Sequence, residues 1–302
     1  MRDSSTTRQL ALGSGFMVGH HTDRDAMTGC TVVLPPRGNV ASCDIRGSSP
    51  GSRELEQLHP DRRLTEVHAV LLTGGSAFGL AAAQGVVEWL EERGIGYETP
   101  IATIPIVPAA VVFDLGSGSS EVRPGPADGR AACEAASEHA SSGPVGAGTG
   151  ATVGKWTGRE NAVPGGFGIA VAEAQGERVG AIAIVNAVGD VLAEDGTVLA
   201  GAAEGHAGWQ LAAPVEQEVP TNTVLALIAL QANLDKRDVR WLAGRGSDGV
   251  TKSIHPAHTR YDGDVTFALA APDVEDRSPN LDVLGSLATE AVAEAVRSAV
   301  RS

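Results

Sequence analysis

The pair Asn222-Thr223 opens a run of seven apolar residues, Val224 to Leu230. Three features favour a buried strand over a helix: the run is short, Pro220 lies upstream, and polar Gln231-Ala232-Asn233 follows. A hydroxyl residue at the mouth of such a strand is well placed to act as a nucleophile. If the Asn222–Thr223 bond breaks, Thr223 gains a free α-amine beside its own hydroxyl. An α-amine titrates at about 7.7–8.0, so it can serve as a built-in general base. Taken alone, Asn-Thr before a strand also reads as an ordinary turn.

Other polar residues sit at the ends of apolar runs. Asn186 closes Ala181-Ile182-Ala183-Ile184-Val185, where a turn-forming Asn is common. Asp262 and Asp264 flank Gly263 just before a second apolar run, and Asp-Gly is a turn dipeptide. Two carboxylates facing the Thr223 amine would orient its ammonium form and raise its pKa. Lys155 follows the glycine-rich stretch Gly146–Gly154, but Gly154-Lys155-Trp156 does not meet the Gly-Lys-Ser/Thr requirement of a phosphate-binding loop. Gly74-Gly75-Ser76-Ala77-Phe78-Gly79 fails the Gly-x-Ser-x-Gly spacing of a hydrolase elbow. We therefore read it as a strand–loop–helix junction with Ser76 as a cap. The eight histidines make no metal pattern. His20 and His21 are adjacent, so on a strand they face opposite sides. His255 and His258 are separated by Pro256, which disfavours a helix there. No metal and no cofactor is expected.

The order and spacing of blocks along the chain resemble the P1 family of peptidases: L-aminopeptidase/D-esterases, β-peptidyl aminopeptidases and nylon-oligomer hydrolases. The blocks begin with Gly19-His20-His21-Thr22-Asp23, Thr28-Gly29-Cys30 and Asp44-Ile45-Arg46-Gly47. Leu72-Thr73-Gly74-Gly75-Ser76-Ala77-Phe78-Gly79-Leu80 is the most specific. Val107-Pro108-Ala109-Ala110, Gly146-Ala147-Gly148-Thr149-Gly150, Val153-Gly154-Lys155 and Gly165-Gly166-Phe167-Gly168 follow. Ile184-Val185-Asn186, Asn222-Thr223 and Tyr261-Asp262-Gly263-Asp264 complete the set.

The resemblance implies an α+β fold, a layered α/β/β/α-like sandwich similar to N-terminal-nucleophile hydrolases but with different connectivity. It implies one self-processing domain over residues 1–302, cut into an α part (1–222) and a β part (223–302). In that scheme the mature Thr223 attacks a short peptide, an aminoacyl amide or an ester. It also implies an oxyanion donor in Asn186, a place beside the nucleophile for Lys155, catalytic roles for Asp262 and Asp264 with Asp264 the more direct contact, and a homotetramer of αβ units. Phe113 is a departure, because several members of that family carry a Tyr in this block. Two alternatives stay open: an uncleaved small-molecule-binding protein, and an acyl transferase like the ornithine acetyltransferases.

The elements that must position these groups are partly legible. Strands are expected over Thr31–Leu34, Ala69–Leu72, Gly168–Ala172, Gly180–Val185, Val224–Leu230 and Val265–Ala270. Helices are expected from Ser76 to Glu92, from Asp128 to Ser142, and along the C-terminal stripe Leu284, Leu287, Ala288, Ala291, Val292, Ala295, Val296 and Ala299. Gly116–Pro126 reads as an exposed loop, and Ala213–Pro220 as a flexible segment that lets new chain ends separate. Hydrophobic residues make up 42% of the chain and aromatics 4%, so the core is aliphatic. A net charge of −14 argues against nucleic acid or an anionic membrane as partner. Met1–Thr7 has no apolar signal region, and no apolar run reaches membrane-spanning length. Cys30, Cys43 and Cys133 read as reduced structural thiols in a cytoplasmic protein.

Overall fold

A strand that is apolar at every position, as Val224–Leu230 is, needs cover on both faces. The computed structural model supplies it with two stacked five-stranded sheets between two layers of helices. It describes residues 9–202, 221–273, 275 and 278–301. The segments Met1–Thr7 and Ala213–Pro220, on which expectations were placed, lie outside the described residues.

The principal strands are β1 (Met17–Asp23), β2 (Thr28–Leu34), β3 (Val40–Ile45), β4 (Ser52–Arg53), β5 (Val70–Thr73), β6 (Ala109–Val111), β7 (Gly166–Ala174), β8 (Glu177–Asn186), β9 (Thr223–Gln231) and β10 (Val265–Ala271). One sheet runs β1–β2–β5–β6–β4 and the other β7–β8–β9–β10–β3. The long helices are α1 (Ala82–Glu91), α2 (Pro126–Glu134), α3 (Lys236–Ser253) and α4 (Leu281–Val300).

Alternation along β9 divides its side chains between two cores. Val224, Ala226, Ile228 and Leu230 pack with Val239 and Leu242 of α3 and with Leu284, Ala288 and Val292 of α4. Leu225, Leu227 and Ala229 point between the sheets, against Val33, Leu72, Phe167 and Phe267. On the far side, α1 and α2 cover Cys30, Val32, Leu71 and Ala109. The order of layers is therefore α/β/β/α, as the resemblance implied. Burying each large aliphatic side chain contributes about 1.5–3 kcal/mol, and this repeated burial holds β9 centrally.

All six expected strands form, and the stripe expected on the C-terminal helix is buried. His20 and His21 do face opposite ways on β1. His20 meets Phe167 edge-on in the core between the sheets, and His21 reaches Asp128 of α2 at 3.2 Å. The three cysteines are buried and unpaired.

Two expectations need correction, and one helix was missed. Ser76 is not a side-chain cap: it sits at φ 52°, its N–H donates to the Val112 carbonyl, and a 3-10 turn through Ala81 precedes α1. The helix expected over Asp128–Ser142 is shorter, spanning Pro126–Glu134, because Ser137 leaves it to bridge Val18 of β1. Helix α3 was not foreseen. Its charged residues and the glycines at 244, 246 and 249 blur the apolar stripe.

Some of those glycines, and others in the sheet, are contact sites. A Cβ on Gly168 of β7 would lie 1.8 Å from the Ala295 carbonyl of α4, so the helix can rest directly on the strand only if this residue has no side chain. Gly168→Ala is expected to destabilise the fold by about 1–3 kcal/mol through overpacking. Urea unfolding measures this, and an unchanged midpoint would refute the close packing of α4 on β7.

Candidate active site

The first residue of β9, Thr223, pairs across the sheet with the last residue of β8, Asn186. The flanking strand β10 runs parallel to β9, and the bridge Asn222–Asp262 extends that pairing past the strand ends. Two buried polar ends are thereby brought onto one line with the Tyr261–Asp264 turn.

The Asn222 carbonyl oxygen receives two donors. The Gly263 N–H lies at 2.9 Å and the Thr223 Oγ1 hydroxyl at 2.5 Å. Asn222 N–H in turn donates to the Tyr261 carbonyl at 3.3 Å. Gly263 must be glycine here: a Cβ would approach the Ser49 carbonyl at 2.7 Å and Thr223 Oγ1 at 3.0 Å. The Asn222–Thr223 peptide is thus clamped with its carbonyl polarised and a hydroxyl next to it.

Asn186 is oriented from both ends. Its Oδ1 accepts from Lys155 Nζ at 2.9 Å and from the Thr152 N–H at 3.0 Å. That leaves Nδ2 as the outward donor, 3.2 Å from the Phe113 carbonyl and 3.4 Å from the Thr221 carbonyl. The Phe113 backbone, not its ring, makes this contact. Lys155 is 2% exposed and also donates to the Asn186 backbone carbonyl at 3.2 Å. Burial, with a further push from Arg159, brings its pKa down to about 7 against an opposing pull from Asp262. Near neutral pH a large fraction of Lys155 is therefore the free amine.

The two aspartates have different surroundings. Asp262 Oδ2 accepts from the Thr259 N–H at 2.8 Å and the Thr259 hydroxyl at 2.6 Å. Its Oδ1 is buried without a hydrogen bond of ordinary geometry among the described residues, although the Val188 backbone exerts a minor pull on the carboxyl. Burial, and then the neighbouring Asp264 charge, raise the Asp262 pKa to about 6. Asp264 Oδ1 accepts from the Val224 N–H at 2.6 Å, one residue past Thr223. It thus holds the backbone of β9 just past Thr223.

All six residues singled out in the sequence, Thr223, Asn222, Asn186, Lys155, Asp262 and Asp264, meet in one buried cluster. Ser76 does not join it. Sequence reasoning missed two groups that do, His258, whose Nδ1 lies 2.7 Å from Asp264 Oδ2, and the N–H of Gly263, and it missed Arg159, which is exposed at the edge of the cluster. No spacing signal marks His258, because its role depends on how the turn folds. Arg159 is bonded to the Thr221 hydroxyl and lies 5.8 Å from the Phe113 ring centre. A cleft of about 610 Å³ opens beside Lys155 and Arg159, with Met27, Phe113, Pro144 and Pro164 supplying apolar wall. Gly116 and Ser117, from the expected loop, also line it. Among the described residues no helix is long and apolar enough to cross a membrane.

Comparison with known proteins identifies the family and the fold. The model of peptidase family S58 matches residues 14–302. An uncharacterized aminopeptidase of Mycobacterium tuberculosis is 40% identical over 280 residues, covering 85% of this chain and 79% of the relative. A 6-aminohexanoate-oligomer endohydrolase of Paenarthrobacter ureafaciens is 28% identical over 304 residues, covering 93% and 83%. The fold matches the L-aminopeptidase D-Ala-esterase/amidase of Ochrobactrum anthropi, a variant of the Ntn-hydrolase fold, with a TM-score of 0.73 at 20% identity over 96% of this chain and 85% of that one. A β-aminopeptidase of Burkholderia sp. gives a TM-score of 0.71 at 22% identity, with the same coverage. The chain belongs to peptidase family S58 and is a hydrolase of peptide or amide bonds.

Proposed function

We propose that the chain cuts itself between Asn222 and Thr223, and that the freed Thr223 is the nucleophile of an aminopeptidase or amidase. Its substrates are short peptides, aminoacyl amides or esters. The observation that carries this reading is the clamped Asn222 carbonyl, with Gly263 N–H at 2.9 Å and Thr223 Oγ1 at 2.5 Å.

In the cutting step the Thr223 hydroxyl turns from the carbonyl oxygen to the carbonyl carbon and forms a C–O bond. Neutral Lys155, whose pKa is about 7, takes the hydroxyl proton. The oxyanion keeps its hydrogen bond from Gly263. The C–N bond then breaks, the Thr223 nitrogen takes a proton, and an Asn222 ester remains on Thr223 Oγ1. Water hydrolyses that ester, which leaves an Asn222 carboxylate and a Thr223 bearing both hydroxyl and α-amine. The α-amine now acts as the base for attack on substrate. Asn186 Nδ2, relieved of the Thr221 carbonyl, donates to the substrate oxyanion. An acyl-enzyme forms, the amine or alcohol leaves, and water releases the acid. Release of the 221–222 end also frees Arg159 at the cleft. The likeness to 6-aminohexanoate-oligomer endohydrolases supports an amide scope wider than peptides. The mature protein is then a noncovalent αβ unit, and four such units form the oligomer that the resemblance implied.

Intact mass of the purified protein is expected to show fragments 1–222 and 223–302, and Thr223→Ala is expected to stay as one chain. A single chain in both would sink the mechanism. In cleaved protein, Asn186→Ala should lower kcat by about 10²–10³, the usual loss of one oxyanion donor. A kcat within twofold of wild type would remove Asn186 from that role. Asp262, raised to about 6, and Lys155, lowered to about 7, both shed protons on the way up from acid, so the rate of self-cleavage should climb as pH passes through these values. Lys155→Arg, which cannot deprotonate, should abolish that climb. Stopped self-cleavage assays from pH 5 upward decide it, and a flat profile would exclude both groups as titrating partners.

A further inference from the structure

His258 lies in the segment that leads into the Asp262–Asp264 turn and belongs to no motif. Its Nδ1 faces Asp264 Oδ2 at 2.7 Å and its Nε2 faces the Ser247 carbonyl of α3 at 3.2 Å. Both partners are oxygen acceptors. A backbone carbonyl cannot donate, so a neutral imidazole satisfies at most one of them. Only the doubly protonated ring donates at both ends. The side chain is 13% exposed, and its backbone is held at φ 54°. His, like Asn, enters this left-handed region more readily than most residues.

The second oxygen of Asp264 accepts from the Val224 N–H, so the carboxylate bridges His258 to the residue after the nucleophile. Asp264 in turn is the charge that raises the pKa of Asp262. The other charge facing His258 is Arg46, at the end of β3, which is tied to Asp44 and Asp248 and opposes a second cation. Burial opposes the imidazolium as well. The hydrogen bond and charge of Asp264 outweigh both and leave the His258 pKa above its usual value.

We propose that His258 is a positioning residue: as an imidazolium strung between the Ser247 carbonyl and Asp264, it holds the Asp264 carboxyl against the start of β9 and leaves Asp262 as the member of the pair that exchanges protons. This rests on the self-cleavage reading for its kinetic consequence, but the protonation of the ring can be observed without it. The two carboxylates then differ in function because Asp264 is held by an imidazole and Asp262 by the neutral donors of Thr259. When the imidazolium loses its proton, the Ser247 contact is lost first, and the hold on Asp264 weakens. The wild-type rate of self-cleavage should therefore rise through the Asp262 and Lys155 range and fall again at higher pH.

The test uses the full chain in two arms. In the uncut Thr223→Ala protein, nitrogen-15 NMR of the histidine rings should show His258 doubly protonated at pH 7, and Asp264→Asn should lower its pKa. Kinetically, His258→Gly relieves the backbone while removing the clamp, and self-cleavage should slow at least ~10-fold. His258→Asn keeps a donor where Nδ1 lies and tolerates the same backbone. It should recover most of the rate and lose the alkaline fall. A merely structural role would lower the rate in both variants without changing the pH profile. The proposal is overturned if the ring is neutral at pH 7, or if His258→Gly cleaves at the wild-type rate with the wild-type pH profile. A wild-type chain that never cleaves overturns the self-cleavage reading instead, and the NMR arm still decides the clamp.

Discussion

Strand β9 is paired on both edges, with β8 and β10, and buried on both faces, under α3 and α4 on one side and the second sheet on the other. Its first residue has almost no conformational freedom as a result. Shifting the strand by one position would turn every side chain to the opposite core, exchanging Leu225 and Leu227 with Ala226 and Ile228. The register that sets Thr223 opposite Asn186 is therefore held by the whole aliphatic core. The site inherits its precision from packing far larger than itself.

That placement has an electrostatic cost. Lys155, Asn186, Asp262 and Asp264 are all at most 3% exposed, in a region where an unpaired charge is expensive. The structure meets the cost unevenly. Asn186 is saturated by Lys155 and Thr152. Asp264 is saturated by the Val224 N–H and His258. Asp262 is held by Thr259 and Lys155 by the Asn186 oxygens, and burial pushes the pKa values of these two toward neutrality, to about 6 and about 7. Burial is how a site obtains acids and bases that work near neutral pH. In the proposed reaction Asn186 and Asp264 supply geometry, and Lys155 and Asp262 supply proton transfer.

The cleft sits on the other side of the same cluster. It touches Lys155 and Phe113, while Thr221 is bonded to both Arg159 and Asn186. Thr221, just before the proposed nucleophile, therefore occupies the donors of Asn186 and Arg159. In the proposed scheme, processing and substrate binding draw on these same donors.

The sequence by itself determined the alternation and the apolar runs, and with them the six central strands and the C-terminal helix. These follow from local burial patterns that each segment carries alone. Thr223, Asn186, Asp262 and Asp264 stand at the ends of apolar runs and Lys155 after a glycine-rich stretch, but it was the family resemblance that marked them as site residues. Sequence reasoning misjudged the segments where local preference and packing disagree. Ser76 has the chemistry of a cap but sits in a left-handed turn, α2 ends early where Ser137 joins β1, and α3 hides its apolar stripe among glycines that serve close contact. The register of β8 against β9, the Gly263 amide on the Asn222 carbonyl, and His258 on Asp264 were decided only by tertiary structure. Each joins residues far apart along the chain or set by one turn's backbone angles, and no single segment contains the information that brings them together.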